Sequence, residues 1–183
     1  MRSRLIALGA ACAALVLAGC TNKAASASSL PPVQIVEQPA ASAGGACILW
    51  DYAFIQKEIG VKFTVAAADQ VEDTSTCVVQ TENGAWPDLT LAVVESTTAD
   101  GNLFITSLMP PKAARLSGLG KAGYRLISAA NAQHGPTVEI GWLSEAAQLQ
   151  TLIYTFEKDA RPAAVNQMSS RLLDLAKAMD TTA

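Results

Sequence analysis

The stretch PTVEIGWLSEAAQLQTLIYTFE, residues 136–157, decides the fold class because it predicts two strands joined by a short connection. We predict strands over 136–143 and 149–157, with Ser144-Glu145-Ala146-Ala147 as the turn of a hairpin. Strands joined by so short a connection run antiparallel. A further strand is expected just before them, over 123–129, so the predicted sheet is antiparallel.

Apolar alternation earlier in the chain adds three more strand segments. Val61, Phe63, Val65 and Ala67 alternate with more polar positions, which is the period of a half-buried strand. Similar patterns cover 76–81 and 89–95, and Asn83-Gly84 between them is a turn signal. Residues 103–116 have both helical and strand character and are left unassigned. The predicted sheet therefore has about five to six strands.

Two helices are predicted, one before the sheet and one after it. Asp51 is a suitable N-cap and Gly60 a left-handed stop, so the first helix covers 51–59. Pro162 opens the second helix, and its apolar stripe is typical of packing against a sheet, although docking on a partner is the alternative. That stripe comprises Val165, Met168, Leu172, Leu175, Ala176 and Met179. The predicted fold class is α+β, with an antiparallel sheet packed by a short N-terminal helix and a longer C-terminal helix.

The first residues have the layout of an export signal. Arg2 and Arg4 precede an apolar run of about 13 residues, whereas a membrane span needs about 20. The run ends in Leu17-Ala18-Gly19-Cys20, which resembles the lipobox of bacterial lipoproteins. That resemblance implies cleavage between Gly19 and Cys20 and a diacylglyceryl group on the Cys20 thiol. The alternative is an ordinary secreted protein.

These patterns divide the chain into three segments. Residues 1–19 are predicted to be a lipoprotein signal peptide, and residues 20–45 a lipidated cysteine followed by a flexible tether rich in Ala, Ser, Pro and Gly. Residues 46–183 are predicted to form one extracytoplasmic α+β domain. A strand at 33–36 is the alternative within the tether. The expected location is the extracytoplasmic face of the cell membrane, held by lipid on Cys20.

The charge balance disfavours nucleic acid as a partner. Two of the thirteen Lys and Arg residues lie in the signal, so the remaining chain has eleven against sixteen Asp and Glu, a formal charge of −5. Binding to a phosphate backbone needs clustered basic residues, and here they are scattered singly. The expected partners are the membrane and an envelope protein, lipid or wall component.

The four cysteines separate by compartment. Cys12 leaves with the signal and Cys20 is the lipid site, so Cys47 and Cys77 remain as an even pair outside the cell, which predicts a disulfide. Closing a loop of about 30 residues stabilises a fold by roughly 3 to 4 kcal/mol. A redox pair or half of a metal site is the alternative, but the spacing is not Cys-x-x-Cys and no histidine is nearby.

The sequence contains no recognisable catalytic constellation. The only histidine, His134, lies in a turn-like segment, and there is no Gly-x-Ser-x-Gly motif. Glu72-Asp73 and Asp100-Gly101-Asn102 are the nearest approaches to a calcium loop, and both are better explained as polar turns. We therefore predict no catalytic residue, no metal site and no cofactor. Further candidates are the carboxylates Asp88, Glu95, Glu139 and Glu157, of which nothing selects a pair, and the tryptophans Trp50, Trp86 and Trp142, for which core packing is favoured over a ligand pocket.

The order of these motifs resembles a family of small actinobacterial lipoproteins catalogued as domain of unknown function 3558. The resemblance rests on the lipobox, the tether, Cys47 before a short helix, Cys77 in a strand, and Gly118-Leu119-Gly120 followed by Ala122 and Tyr124. The family usually has an acidic residue after Gly-Leu-Gly, where this chain has Lys121, and this chain has an extra Gly123. The resemblance implies an extracytoplasmic α+β domain with a disulfide and no established activity.

Three functional hypotheses follow. The first is a non-enzymatic binding, accessory or sensor module of the cell envelope. The second is an envelope enzyme with an unrecognised carboxylate site, which a cleft lined by two close carboxylates would favour. The third is a lipoprotein that shields or spaces another complex, which an exposed apolar patch beside Trp50 or the last helix would favour.

Overall fold

A seven-stranded antiparallel sheet organises residues 38–95 and 98–180, the part of the chain that the computed structural model describes. The order across the sheet is β1-β2-β3-β7-β6-β5-β4. The α+β class is confirmed, with seven strands rather than five to six. The strands are β1 (Val65–Val71), β2 (Thr74–Gln80), β3 (Asp88–Val94), β4 (Ala114–Leu116), β5 (Ala122–Ser128), β6 (Thr137–Leu143) and β7 (Leu149–Thr155).

The sheet consists of two meanders that meet at its centre. β1, β2 and β3 follow one another by short turns, and the chain then crosses to the far edge, where β4 begins. From there it returns strand by strand until β7 pairs with β3. The predicted hairpin at 144–147 is confirmed, because the Ser144 N–H donates to the Gln148 carbonyl (2.9 Å) between β6 and β7.

The two predicted helices are confirmed on one face of the sheet. Helix α1 (Tyr52–Ile59) begins after Asp51, whose carboxylate accepts from the Ala53 N–H at 2.7 Å, and ends at Gly60 in the left-handed conformation (φ 75°). Helix α3 (Pro162–Asp180) buries all six residues of its apolar stripe. The Arg171 guanidinium donates to the Ile59 carbonyl at 2.9 Å, which fixes α3 against the end of α1.

The chain reaches the sheet later than the alternation at 61–67 predicts. Phe63 is fully buried in the main core, yet the ladder begins only at Val65. Apolar alternation reports which side chains are buried and does not report whether the backbone has a strand beside it. Residues 61–64 are therefore a connection with one buried anchor.

Two 3₁₀ turns precede α1, at Ala40–Ala43 and Gly45–Leu49. Ala40, which falls in the segment predicted as tether, is buried in the main core, whereas Ala41, Ser42 and Ala43 are exposed. The predicted signal peptide, Cys20, most of the tether and the alternative strand at 33–36 lie outside the described residues.

The crossover from β3 to β4 covers part of the opposite face of the sheet. It contains the short helix α2 (Gly101–Leu103), continued by one π-helical turn at Phe104–Leu108. Phe104 stacks on Tyr124 with ring centroids 5.8 Å apart, in a second, smaller core. The Tyr124 ring lies across Gly141 and leaves no room for a Cβ at that position. Residues 103–116, unassigned from the sequence, thus form this cover and strand β4.

The two edge strands differ in length and in cover. β4 has three residues and follows a turn that includes Pro110-Pro111. β1 has seven residues, and the 3₁₀ turns pack beside it, with Ala68 approaching Gly45 closely.

Candidate functional site

The disulfide between Cys47 and Cys77 is confirmed, with the two Cα atoms 4.9 Å apart. Both cysteines are fully buried. Cys77 lies in the middle of β2, whereas Cys47 lies in the 3₁₀ turn Gly45–Leu49. The bridge therefore fixes this turn onto the sheet, and with it the side chains of Ile48 and Leu49.

Beside the bridge, one cross-strand row forms the floor of a cleft between the sheet and the helices. Gln70, Ser75, Val93 and Gln150 lie directly opposite one another on β1, β2, β3 and β7. All four face the helix side of the sheet and line the cleft. Three of these four side chains are polar, so the floor offers amide and hydroxyl groups together with one apolar contact.

The walls of the cleft are apolar. Ile48 and Leu49 come from the disulfide-fixed turn, Phe54 from α1 and Met179 from the last turn of α3. The cleft has a volume of about 640 Å³. Small-molecule sites in proteins measure about 300 to 1,000 Å³ and combine apolar walls with a few polar groups. This cleft meets both conditions.

Two carboxylates lie at the rim of the cleft. Asp73 and Glu95 extend β2 and β3 by one residue, and the Glu95 N–H donates to the Asp73 carbonyl at 3.3 Å. Side chains directly opposite on antiparallel strands have Cβ atoms about 4.5 to 5.5 Å apart. Among the described residues that line the cleft, none is basic. The rim is therefore acidic.

The hydroxyl of Ser75 is the one buried floor atom without a partner. Its Oγ is inaccessible to solvent and makes no hydrogen bond within the described residues. Gly45 lies above it, with φ +51°, and a Cβ there would fall 3.1 Å from the Ser75 Oγ. Glycine at position 45 thus lets the turn approach the floor closely, and the Ser75 hydroxyl lies covered beneath it.

Ile48 and Leu49 also form a ridge on the surface. Their side chains are 67 % and 52 % exposed, although both are large and apolar. On the other side of this ridge is a second cavity of about 700 Å³, whose lining includes Trp50 and Lys62. Trp50 itself is buried in the core. The Ile48–Leu49 ridge is therefore an exposed apolar patch beside Trp50.

The carboxylates singled out from the sequence are dispersed. Asp88 begins β3 and Glu95 follows its other end, so the two lie at opposite ends of one strand. Glu139, on β6, accepts a hydrogen bond from the Tyr124 hydroxyl at 2.5 Å, and Glu157 is exposed just after β7. The structure therefore brings no two of these four together as direct neighbours. Glu95 instead neighbours Asp73, a pair that required the β2–β3 register to find.

Asp88 is the most buried of these carboxylates, at 8 % exposure. Burial raises the pKa of its carboxyl, while a hydrogen bond from Thr155 and the charge of His134 oppose that rise. Burial and the neighbouring Glu139 likewise raise the pKa of the Tyr124 hydroxyl. Both groups lie away from the cleft lining, so these shifts describe packing at other parts of the sheet.

His134 and the tryptophans have structural contacts. The His134 ring contacts Asn131 and the Gly135 carbonyl, and it lies 5.7 Å from the ring of Trp86. Trp50 and Trp142 are buried in the core, as the sequence predicts, whereas Trp86 is partly exposed. Trp50 borders the second cavity, whereas His134, Trp86 and Trp142 border neither of the two cavities described above.

Of the two acidic segments considered for calcium, Glu72-Asp73 is a turn, as predicted, whereas Gly101 and Asn102 lie in helix α2, so the prediction of a turn at 100–102 is wrong. Glu72 and Asp73 connect β1 to β2, with Glu72 at φ 53°. The Asp100 carboxylate caps α2 by accepting from the Leu103 N–H at 2.8 Å. Within residues 38–95 and 98–180, no group of three or more His, Cys, Asp or Glu side chains is arranged to hold a metal ion.

Comparisons add no relative. No protein-family model matches the chain, and no curated protein or solved structure matches it significantly. Among the described helices, none is long and apolar enough to span a bilayer.

Proposed function

We propose that this protein is a lipid-anchored extracytoplasmic binding module whose ligand is an amphipathic small molecule held in the cleft. The proposed lipid anchor and extracytoplasmic location are supported by the Leu17-Ala18-Gly19-Cys20 motif and by the resemblance to the actinobacterial lipoprotein family. The observation that carries the binding function is the cleft itself, a cavity of about 640 Å³ with apolar walls and a polar floor.

The exposed ridge gives such a ligand a source of binding free energy. Burying a large aliphatic side chain contributes about 1.5 to 3 kcal/mol. Ile48 and Leu49 are more than half exposed, so a ligand that covers their cleft side removes apolar surface from water. The disulfide holds both residues in place before the ligand arrives, which reduces the entropic cost of binding.

One observation favours an enzyme instead. Asp73 and Glu95 are two adjacent carboxylates at a cleft, which is the condition for the carboxylate-enzyme hypothesis. Both side chains are exposed, however, whereas carboxyl groups used as general acids at neutral pH are usually tuned by burial. Binding is therefore the better-supported function, and turnover of a glycoside or ester that Asp73→Asn abolishes would reverse this order.

The ridge is also the feature that a shielding or spacing role would need. A spacer would use the outward side of Ile48 and Leu49 and would not need a cavity behind them. The cavity, with its polar floor row, is thus the feature that distinguishes ligand binding from spacing.

The proposed function can be tested with the mature chain from residue 20 carrying Cys20→Ala, which removes the predicted lipid site. The uncharged dye Nile red should bind with increased fluorescence, and Ile48→Ser or Leu49→Ser should weaken binding about tenfold, the equivalent of about 1.4 kcal/mol. Val71→Ser is the matched control, because Val71 is 63 % exposed and does not line the cleft. No binding, or equal weakening by the control, would contradict the proposal.

A further inference from the structure

We infer that the cleft selects amphiphiles with a positively charged head group, bound with the apolar tail against Phe54 and Met179 and the head between Asp73 and Glu95. This inference rests on the binding function proposed above and narrows it to one ligand class. It follows from where charge and apolar surface lie within the cleft.

The acidic pair is placed where a cation would stabilise it. Asp73 and Glu95 stand opposite each other on neighbouring strands, and like charges in that position repel. Neither carboxylate forms an ion pair within the described part of the chain. A cationic head group between them would replace repulsion by attraction, which gives the site a preference for positive charge.

The surroundings reinforce the sign of the charge. Glu72, in the same turn as Asp73, and Glu145, in the β6–β7 hairpin beside the cleft residue Ala146, are both exposed acids. Lys177 precedes the wall residue Met179 by two positions but lies on the exposed side of α3. None of the described residues that line the cleft is basic, so no basic side chain of the lining neutralises the acidic groups at the rim.

The apolar walls exclude a simple metal ion as the ligand. Calcium takes six to eight oxygen ligands, and the described residues provide no cluster of three acidic or other metal-binding side chains. Phe54, Leu49 and Met179 would have no role in holding an ion. An organic cation with an apolar tail uses both the rim and the walls.

The orientation follows from the depth of each group. The carboxylates are at the open rim, where water can still solvate the head group, while Val93 and Met179 are buried deeper, at 3 % and 6 % exposure. The amide side chains of Gln70 and Gln150 on the floor can bind a polar group partway along the tail, such as an ester or amide. A ligand entering head first would place its charge against apolar side chains, which is unfavourable.

The test uses three probes with the same ten-carbon chain and different head groups. Decyltrimethylammonium, decyl maltoside and decyl sulfate would compete, below their critical micelle concentrations, with Nile red on the Cys20→Ala mature chain. The ammonium probe should bind about tenfold more tightly than the maltoside, and the sulfate most weakly. Raising the salt concentration should narrow these differences, since the rim charges are exposed.

A double variant identifies the source of the preference. Asp73→Asn with Glu95→Gln should weaken the ammonium probe about tenfold and leave the maltoside within twofold. The matched control, Glu157→Gln with Asp159→Asn, removes the same charge from exposed positions outside the cleft lining and should preserve the preference.

The outcomes separate this inference from the proposed function. If all three probes bind with equal affinity, or if the double variant weakens all three equally, the inference is overturned while the binding function stands. If the control variant abolishes the preference as well, the preference comes from net charge and the inference is again overturned. If no probe and no dye binds, both fail.

Discussion

Two cross-strand rows on the same face of the sheet have opposite character. One row crosses β2, β3, β7 and β6 about 13 Å from the cleft floor, four residues earlier along β3. Its four side chains are hydrophobic, and each is at most 4 % exposed. These residues are Val79, Leu89, Tyr154 and Val138. On the same four strands, the row of the cleft floor is Ser75, Val93, Gln150 and Trp142, of which two are polar, and it continues on β1 with the polar Gln70. We call the two regions the closed end and the cleft end of the sheet.

The difference between the two rows coincides with the position of the cavity. At the closed end, Phe156 packs edge-on against Tyr154 at 4.7 Å, and Ile59 and Phe63 are fully buried nearby in the same core. At the cleft end, a cavity of about 640 Å³ lies between the floor row and the helices. The cavity therefore lies over the row that contains polar side chains and not over the apolar row.

The largest effect is expected from removing the bridge that fixes the wall of the cleft end. Cys47→Ser with Cys77→Ser should lower the free energy of unfolding by about 3 to 4 kcal/mol, because the unfolded chain loses a closed loop. The separation of 30 residues between the two cysteines sets that magnitude. Urea denaturation with and without reductant measures it.

Reductant provides the control. It should destabilise the unmodified protein by the same amount and leave the double variant unchanged. Nile red binding should weaken in parallel, because Ile48 and Leu49 lose their attachment to β2. Unchanged dye binding after loss of the bridge would show that the wall is held by other contacts.

The next effect compares the two rows directly. Leu89→Ala at the closed end should cost about 3 kcal/mol, the usual range for emptying a fully packed leucine site. Val93→Ala at the cleft end should cost about 1.5 kcal/mol, since two methyl groups are removed beside a space that already exists. Chemical denaturation of both variants measures the difference, and equal losses would mean that the cleft end is packed as tightly as the closed end.

The smallest effect concerns Asp88, the first residue of β3, at the closed end of the sheet. Because burial raises the pKa of this carboxyl, the folded state binds its proton more tightly than the unfolded state does. The resulting stability is fully present below the ordinary pKa of 3.8 and is lost as pH rises through the raised value. Asp88→Asn should therefore stabilise the protein at pH 7, by less than the changes described above, and leave its stability unchanged at pH 3.

Thermal unfolding at the two pH values tests this sign. Glu157→Gln is the matched control, since Glu157 is exposed and a surface change of this kind stays within about 0.5 kcal/mol. A stabilisation by Asp88→Asn that is the same at pH 3 and pH 7 would assign the effect to packing instead of charge.

Local patterns predicted the elements that local physics determines. Asp51 and Gly60 mark both ends of α1, Pro162 opens α3, and 144–147 closes the β6–β7 hairpin, each within a residue or so of the prediction. Strand β4 and the crossover were not predicted, because residues 103–116 take their conformation from the sheet face that they cover. Tertiary contacts override a weak local preference there.

The cleft could not be predicted for a related reason. Its floor combines residues from β1, β2, β3 and β7, and Gln70 and Gln150 are 80 positions apart in the chain. Nothing in the sequence states the register that aligns them. The disulfide was predictable, because the predicted compartment and the even number of remaining cysteines select Cys47 and Cys77, but its position beside the cleft required the structure.

The short edge strand has a consequence for self-association. An open sheet edge can recruit the edge of another molecule into an intermolecular ladder, and long, flat edges do this most readily. The edge at β4 is three residues long, and Pro110-Pro111 just before it supply no N–H groups to extend the pairing. At high local concentration, the β4 edge should therefore support little intermolecular strand pairing and little fibre growth.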